Sequence, residues 1–164
     1  MAKEKILIVT PWGDPSGWSP VEYVFNDTKQ KARTTLVPLL KMAGNRASHV
    51  LILVSDTLFV KLNDADRLLE NLCGVRRAGA EIKDSVKAWV RGWVKILVGN
   101  HLSNYSIRVI PGIGSYRVKD IYIEFKGSLD DFYSYVYLAI LEIAEHVNFS
   151  ELWLDLSHGI NYMP

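Results

Sequence analysis

The chain has 164 residues, 49% hydrophobic and 23% charged, enough apolar material for one α/β domain and a composition that argues against disorder of the whole chain. Nineteen basic and 18 acidic residues leave a formal net charge of +1. That argues against an extended electrostatic nucleic-acid footprint, though not against a small anion in a local pocket. The one cysteine, Cys73, rules out an intrachain disulfide, reads as plain packing and suits a reducing cytoplasm; no signal peptide or membrane span is visible.

Ile6 to Val9 are consecutive apolar β-formers and predict a central parallel strand buried on both faces. Thr10 to Pro20, dense in Pro, Gly, Ser and Asp, predicts a loop. It is long for a βα connection and carries Trp12 and Trp18, which points to use rather than mere linkage. Lys29, Lys31 and Arg33 alternate just before the first helix, either as solvated surface or as phosphate-neutralising charge. Thr34 to Met42 predicts a short helix with Leu36, Leu39 and Leu40 inward; Pro38 inside it predicts a late start or a kink. Val50 to Val54 predict a second buried strand stopping at Ser55, Asp56 and Thr57.

Residues 58 to 80 read as partly helical, and Lys83 to Val98 as the clearest helix. There Val86, Trp89, Val90, Trp93 and Leu97 recur at three- and four-residue spacings. Ile107 to Ile110 predict a third strand, followed by PGIG at 111 to 114. Ile121, Ile123 and Phe125 alternate with Tyr122, Glu124 and Lys126, the pattern of a half-exposed strand at an edge. Asp130 and Asp131 suit the positive end of a long helix whose apolar set is Phe132, Tyr135, Val136, Ala139, Ile140 and Ile143. Leu152 to Leu156 predict a last buried strand. The order of elements predicts an α/β, Rossmann-like three-layer domain over residues 1–164, with a mostly parallel sheet and an extra edge strand. The last strand has no helix after it to cover it, so the expectation is a fragment of a longer protein, or cover exchanged with a partner.

Parallel strands send their C-terminal loops to one edge, where open α/β sheets bind ligands. Four such loops are Thr10 to Asp14, Ser55 to Thr57, Pro111 to Ser115 and Ser157 to Asn161. Phosphate binds to backbone N–H groups free of side-chain obstruction, and Gly13, Gly112, Gly114 and Gly159 suit that. Hydroxyls of Thr57, Ser115 and Ser157 add donors, and Trp12 and Trp18 offer rings for stacking on bases. Each has a plainer reading. His158 can simply bond nearby backbone, Asp155 can orient His158 or its loop, Gly112 and Gly114 can serve turn geometry, and the tryptophans can anchor the loop. Trp89 and Trp93 read as core or interface, and Asn26 as a weaker candidate for a base or ribose edge.

Other chemistries fit poorly. The sequence has no GxGxxG and no P-loop. His49, His101, His146 and His158 lack metal-site spacing, and one cysteine removes thiolate clusters, so neither a metal nor a cofactor is expected. Ser157 beside His158 is not a triad, because adjacent residues rarely aim at each other.

DLSHGINY at 155–162 resembles the Asp-Leu-Thr-His-Gly-x-Asn motif of CRISPR-associated Rossmann fold (CARF) domains of the Csx1 family, with Ser157 keeping the hydroxyl of the usual threonine. The Trp-Gly-Asp loop after the first strand, VSDTL at 54–58 and IPGIG at 110–114 agree in the same order along the chain. The last motif is fairly specific; the others would be weak alone. The resemblance implies a homodimeric sensor whose two CARF domains form one symmetric pocket for cyclic oligoadenylate, usually the tetramer, and which activates a C-terminal HEPN ribonuclease. Carried onto this chain, Ser157, His158, Gly159 and Asn161 line the pocket floor. Trp12, Gly13 and Asp14 form the first-loop wall, with Ser55, Asp56, Thr57, Gly112, Gly114 and Ser115 beside them. HEPN nucleases use Arg and His a few residues apart, and none of the four histidines has an arginine five to seven residues before it. The expectation is therefore a sensor region without the nuclease site, in the cytoplasm. Two alternatives stay open: a metal-independent ring nuclease using Ser157 and His158, and a dimerisation or regulatory module without a nucleotide, built on Trp89, Trp93, Tyr133 and Tyr137.

Overall fold

The structure, a computed structural model, describes residues 4–25, 28–72 and 78–158. In chain order it runs β1 (Ile6–Trp12), a hairpin of β2 (Val21–Phe25) and β3 (Thr28–Ala32), α1 (Leu36–Ala43), β4 (Ala47–Ser55), α2 (Ala65–Leu72) and α3 (Ala78–Leu97). Then come β5 (Tyr105–Ile110), a hairpin of β6 (Ile113–Val118) and β7 (Ile121–Lys126), α4 (Leu129–Ala144) and β8 (Glu151–Leu154). Four strands make one sheet in the order β5-β4-β1-β8, and every pairing in it is parallel.

The three layers follow from the two-residue period of the strands. Ile6, Ile8, Val50, Ile52 and Val54 face helices α1, α2 and α3, packing with Leu36, Leu40, Leu69, Val86 and Val90. Leu7, Val9, Leu51 and Leu53 face the other way, onto Ala139 and Ile143 of α4. Both faces of β1 and β4 are thus buried, which is why these strands read as continuous apolar runs rather than alternations.

Local chemistry sets the helix ends. Pro38 is the third residue of α1, within the first turn, where its missing N–H has no intrahelical partner to lose. The helix therefore starts two residues before the proline instead of kinking at it. Ser128 caps α4, its hydroxyl oxygen accepting from the Asp131 N–H at 3.0 Å, with Asp130 and Asp131 in the first turn. On α3, Ile82, Val86, Val90, Val94 and Leu97 are buried, while Trp89 and Trp93 lie half-buried beside that row, edge to face at 6.0 Å.

Four expectations change. β1 continues through Thr10 and Pro11 to Trp12, so the first loop begins only at Gly13; Thr10 and Trp12 are both buried. The alternation at Lys29, Lys31 and Arg33 belongs in its first two members to strand β3, paired antiparallel with β2, where Lys29 meets Glu22 at 3.1 Å. The strand at 121–126 is not an edge of the parallel sheet. It pairs with β6 in a separate antiparallel hairpin, laying Phe125 against the core on the α1–α3 side. Last, β8 is the sheet edge and only half-covered: Leu152, Leu154 and Leu156 are 47%, 56% and 68% exposed. Leu152 and Leu154 stand in register with Leu7 and Val9, on the α4 face, and among the described residues no helix lies over them. Cys73 and Asn26 lie outside the described residues. No helix among those residues is long and apolar enough to cross a membrane.

Removing a side chain from the doubly covered sheet centre leaves a void that the neighbouring layers cannot close. Leu53→Ala is expected to cost about 2–5 kcal/mol in urea unfolding, whereas Val24→Ala on the exposed hairpin should stay within about 0.5 kcal/mol.

Candidate functional site

Because the four sheet strands are parallel, the segments after Trp12, Ser55, Ile110 and Leu154 leave from one edge, in the lateral order of the strands. Backbone and side-chain bonds join them there. The Gly13 N–H donates to the His158 carbonyl at 3.2 Å, tying the first loop to the last. Asp14 and Lys61, the latter from the turn after β4, lie 3.6 Å apart as an ion pair. The Gly112 N–H donates to Asp56 Oδ1 at 2.7 Å, tying the β4 and β5 loops.

Asp155 is the hub at the β8 end. Its side chain is only 5% exposed, just past the last paired residue of β8. Oδ2 accepts from Thr10 Oγ1 at 3.1 Å and from Thr35 Oγ1 at 2.6 Å. Oδ1 accepts from the Ser157 N–H at 3.0 Å and from Ser157 Oγ at 2.7 Å. One carboxylate thus joins β1, the start of α1 and the loop after β8. Burial pushes its pKa up, but the bonds from Thr35, Ser157 and Thr10 together outweigh burial and hold it below the ordinary carboxylate value.

His158 sits on this support. Its ring stacks on Trp18, centroids 4.1 Å apart and planes at 23°, and Trp18 in turn meets Trp12 edge to face at 5.2 Å. Nε2 lies 3.3 Å from the Thr35 nitrogen and 3.3 Å from the Tyr23 hydroxyl. Burial lowers the His158 pKa, against a smaller upward pull from the Asp155 charge. Trp12 is fully buried and supports Trp18 from within the core, so the ring that reaches the site is that of Trp18. The Trp12 Nε1–H is buried without a hydrogen-bond partner among the described residues.

The second cluster is tighter. Ser55 Oγ accepts from the Thr57 N–H at 3.1 Å and from Thr57 Oγ1 at 2.7 Å. A Cβ on Gly112 would stand 2.2 Å from Ser55 Oγ and 2.5 Å from Thr57 Cγ2, so glycine is required there by close approach. Its N–H is already donated to Asp56, whose pKa burial raises and that bond partly restores. Asp14 turns back on its own loop, accepting from the Ser16 N–H at 3.0 Å and Ser16 Oγ at 2.6 Å. Burial raises its pKa, but the Ser16 bonds and Lys61 bring it below the usual carboxylate value. Gly114 and Ser115 belong to β6, opposite Phe125 and Glu124, in a hairpin that packs on the 56–61 turn. Gly159 and Asn161 lie outside the described residues.

The loops after the four sheet strands therefore share one edge, with Gly13, Asp14, Ser157 and His158 at the β1–β8 side and Ser55, Asp56, Thr57 and Gly112 at the β4–β5 side. Sequence reading placed Thr10 in the first loop without a role and missed Tyr23, Thr35 and Lys61. Thr10 ends an apolar run, Thr35 precedes an apolar helix, and Tyr23 lies in a Val21-Tyr23-Phe25 alternation, but only the fold shows that they meet Asp155 and His158.

With that geometry in view, comparison with known proteins is decisive. The family model described as "CRISPR system endoribonuclease Csx1, CARF domain" matches residues 7–164. The chain belongs to the Csx1 CARF-domain family. Among its relatives is the CRISPR system endoribonuclease Csx1 of Methanocaldococcus jannaschii, 32% identical over 164 residues. The match covers 98% of this chain and 31% of the relative, so this CARF domain corresponds to under a third of that protein. Asp155, Ser157 and His158, which open the segment that carried the resemblance, lie within the matched residues.

Because the Asp155 carboxyl is depressed in the folded state, its stabilising contribution is complete above the ordinary carboxylate range and fades as pH falls through the folded value. Asp155→Asn is expected to cost about 1–3 kcal/mol at neutral pH. In urea titrations the gap to the parent should narrow once pH drops below about 4.

Proposed function

We propose that this CARF domain binds a cyclic oligoadenylate, with cyclic tetra-adenylate the leading ring, as the sensor part of a CRISPR-associated ribonuclease. The observation that carries the reading is the Gly13–His158 contact. It brings the family motif against the first loop, at the edge where the loops after all four sheet strands emerge. Such an edge offers hydroxyls, an imidazole, a stacking indole and a lysine to a ligand of phosphates and bases. Ser55, Asp56, Thr57 and Gly112 form a rigid wall in this reading rather than a set of free donors, since Gly112 already spends its N–H on Asp56. Gly114, Ser115, Gly159 and Asn161 remain candidate contacts on the strength of the family motifs.

A second copy completes the pocket. Support comes from the apolar surface on the α4 side: Leu152 and Leu154 on β8, and Tyr133, Tyr137, Leu138 and Leu141 on α4, are all exposed. A two-fold dimer presents each element twice and so matches a ring whose repeating units are equivalent. The effector, a HEPN nuclease domain, belongs in this proposal to the remainder of the whole protein, and ligand binding shifts its conformational equilibrium through the shared dimer. The cleavage alternative has weaker support, because Ser157 Oγ–H is directed at Asp155 and not at His158.

Calorimetry with cyclic and linear tetra-adenylate tests the proposal. The cyclic ring should bind, linear tetra-adenylate more weakly, and His158→Ala should lose at least about tenfold in affinity. Equal and negligible binding of both to a verified folded dimer would leave a dimerisation module instead. Chromatography after long incubation should return the ring intact; linear products would make the domain a ring nuclease.

A further inference from the structure

The surroundings of His158 define its protonation. Nε2 faces the Thr35 backbone nitrogen at 3.3 Å, and a peptide N–H can only donate. It also faces the Tyr23 hydroxyl at 3.3 Å, which rotates to donate or accept. A lone pair must therefore occupy Nε2, and in a neutral ring the proton then sits on Nδ1. Trp18 covers one flat face of the ring at 4.1 Å and fixes its plane; within that plane a flip would turn Cε1 towards Thr35 and Tyr23 and lose both Nε2 contacts. Nδ1 has no partner among the described residues.

We propose that the Thr35 amide and the Tyr23 hydroxyl are positioning groups that hold His158 as its neutral Nδ1–H tautomer, and that this N–H is the donor presented to a phosphate oxygen of the ligand. The donor role rests on the messenger reading above; the tautomer does not. Charging the ring would put an N–H on Nε2 against the Thr35 N–H, donor against donor. The ionisable groups around the imidazole are Tyr23 from β2 and Asp155 from the loop after β8; α1 contributes only the uncharged Thr35. Burial, with a further push from the Asp155 charge, raises the Tyr23 pKa, so the phenol stays neutral. Asp155 pulls the ring towards the charged form, but its carboxylate is already engaged by Thr10, Thr35 and Ser157.

Two consequences distinguish this from an ion pair. Recognition through a neutral N–H does not strengthen as the solution is acidified. In addition, an Nε2 lone pair already shared by two donors is not free to take a proton from a ribose hydroxyl, which favours holding the ring over cutting it.

Long-range 1H–15N NMR of the 15N-labelled chain at pH 7.5 reads the tautomer directly, with the His158 signals assigned by their loss in His158→Gln. The expected result is a protonated-type Nδ1 and a lone-pair-type Nε2. Binding of cyclic tetra-adenylate should change by less than about twofold between pH 8 and pH 6. Tyr23→Phe, which keeps the ring and removes one hydroxyl, should weaken binding about 5- to 10-fold at pH 7.5. It should also raise the His158 pKa and introduce acid dependence. An Nε2–H or charged ring at pH 7.5, or affinity that rises about tenfold or more on acidification, overturns the positioning role. If the ring is not bound at any pH while the Nδ1–H signature is present, the messenger reading fails and the tautomer stands.

Discussion

The site hangs on one buried carboxylate. Asp155 lies at the end of the edge strand: its N–H makes a last backbone bond to the Val9 carbonyl at 2.9 Å, and beyond it the chain leaves the sheet. Hydroxyls from β1 and the start of α1 close on one oxygen, and the amide and hydroxyl of Ser157 close on the other. A carboxylate removed from water is costly unless its lone pairs are filled, and here they are filled by donors from three separate elements. The resulting constraint is mutual. It turns the loop so that His158 lands on Trp18 and its carbonyl meets Gly13, and it holds the first turn of α1 so that the Thr35 amide faces the imidazole.

The same edge shows a division of labour. Towards β8, Trp18 and His158 are half-buried, and among the described residues Nδ1 of His158 has no partner. Towards β5 the polar groups satisfy one another: Ser55 caps the turn that follows β4, Asp56 binds the Gly112 amide, and Gly112 leaves no room for a side chain. A rigid side and a receptive side, joined through the Asp14–Lys61 pair, suit a binding domain, because an ordered wall reduces the entropy lost when the ligand is held.

Membership of the Csx1 CARF family gives this arrangement its context, and the chain corresponds to 31% of its M. jannaschii relative. Leu152 and Leu154 of β8 and Tyr133, Tyr137, Leu138 and Leu141 of α4 are left exposed. Leu152 and Leu154 lie on the edge strand that leads into the motif loop, so a partner covering them would adjoin the proposed pocket.

Much of the framework is legible in the linear chain because burial on both faces demands uninterrupted apolar runs. Ile6–Val9 and Val50–Val54 announce interior strands, the three- and four-residue spacing of Val86, Val90 and Leu97 announces α3, and DLSHG announces the family. The hairpins were less legible: an antiparallel pair with one wet face carries a weak alternating signal, and Lys29 and Lys31 read as surface charge until Val21 to Phe25 is seen beside them. The last strand misled for a related reason, since Leu152, Leu154 and Leu156 are apolar whether or not a layer covers them. Periodicity and composition are local properties, so the parallel α/β core and the polar motif at its last strand are written in the order of residues alone. The meeting of Thr10, Tyr23 and Thr35 with Asp155 and His158 is a property of the folded chain, because hydrogen bonds across more than a hundred residues exist only once the sheet has brought those positions together.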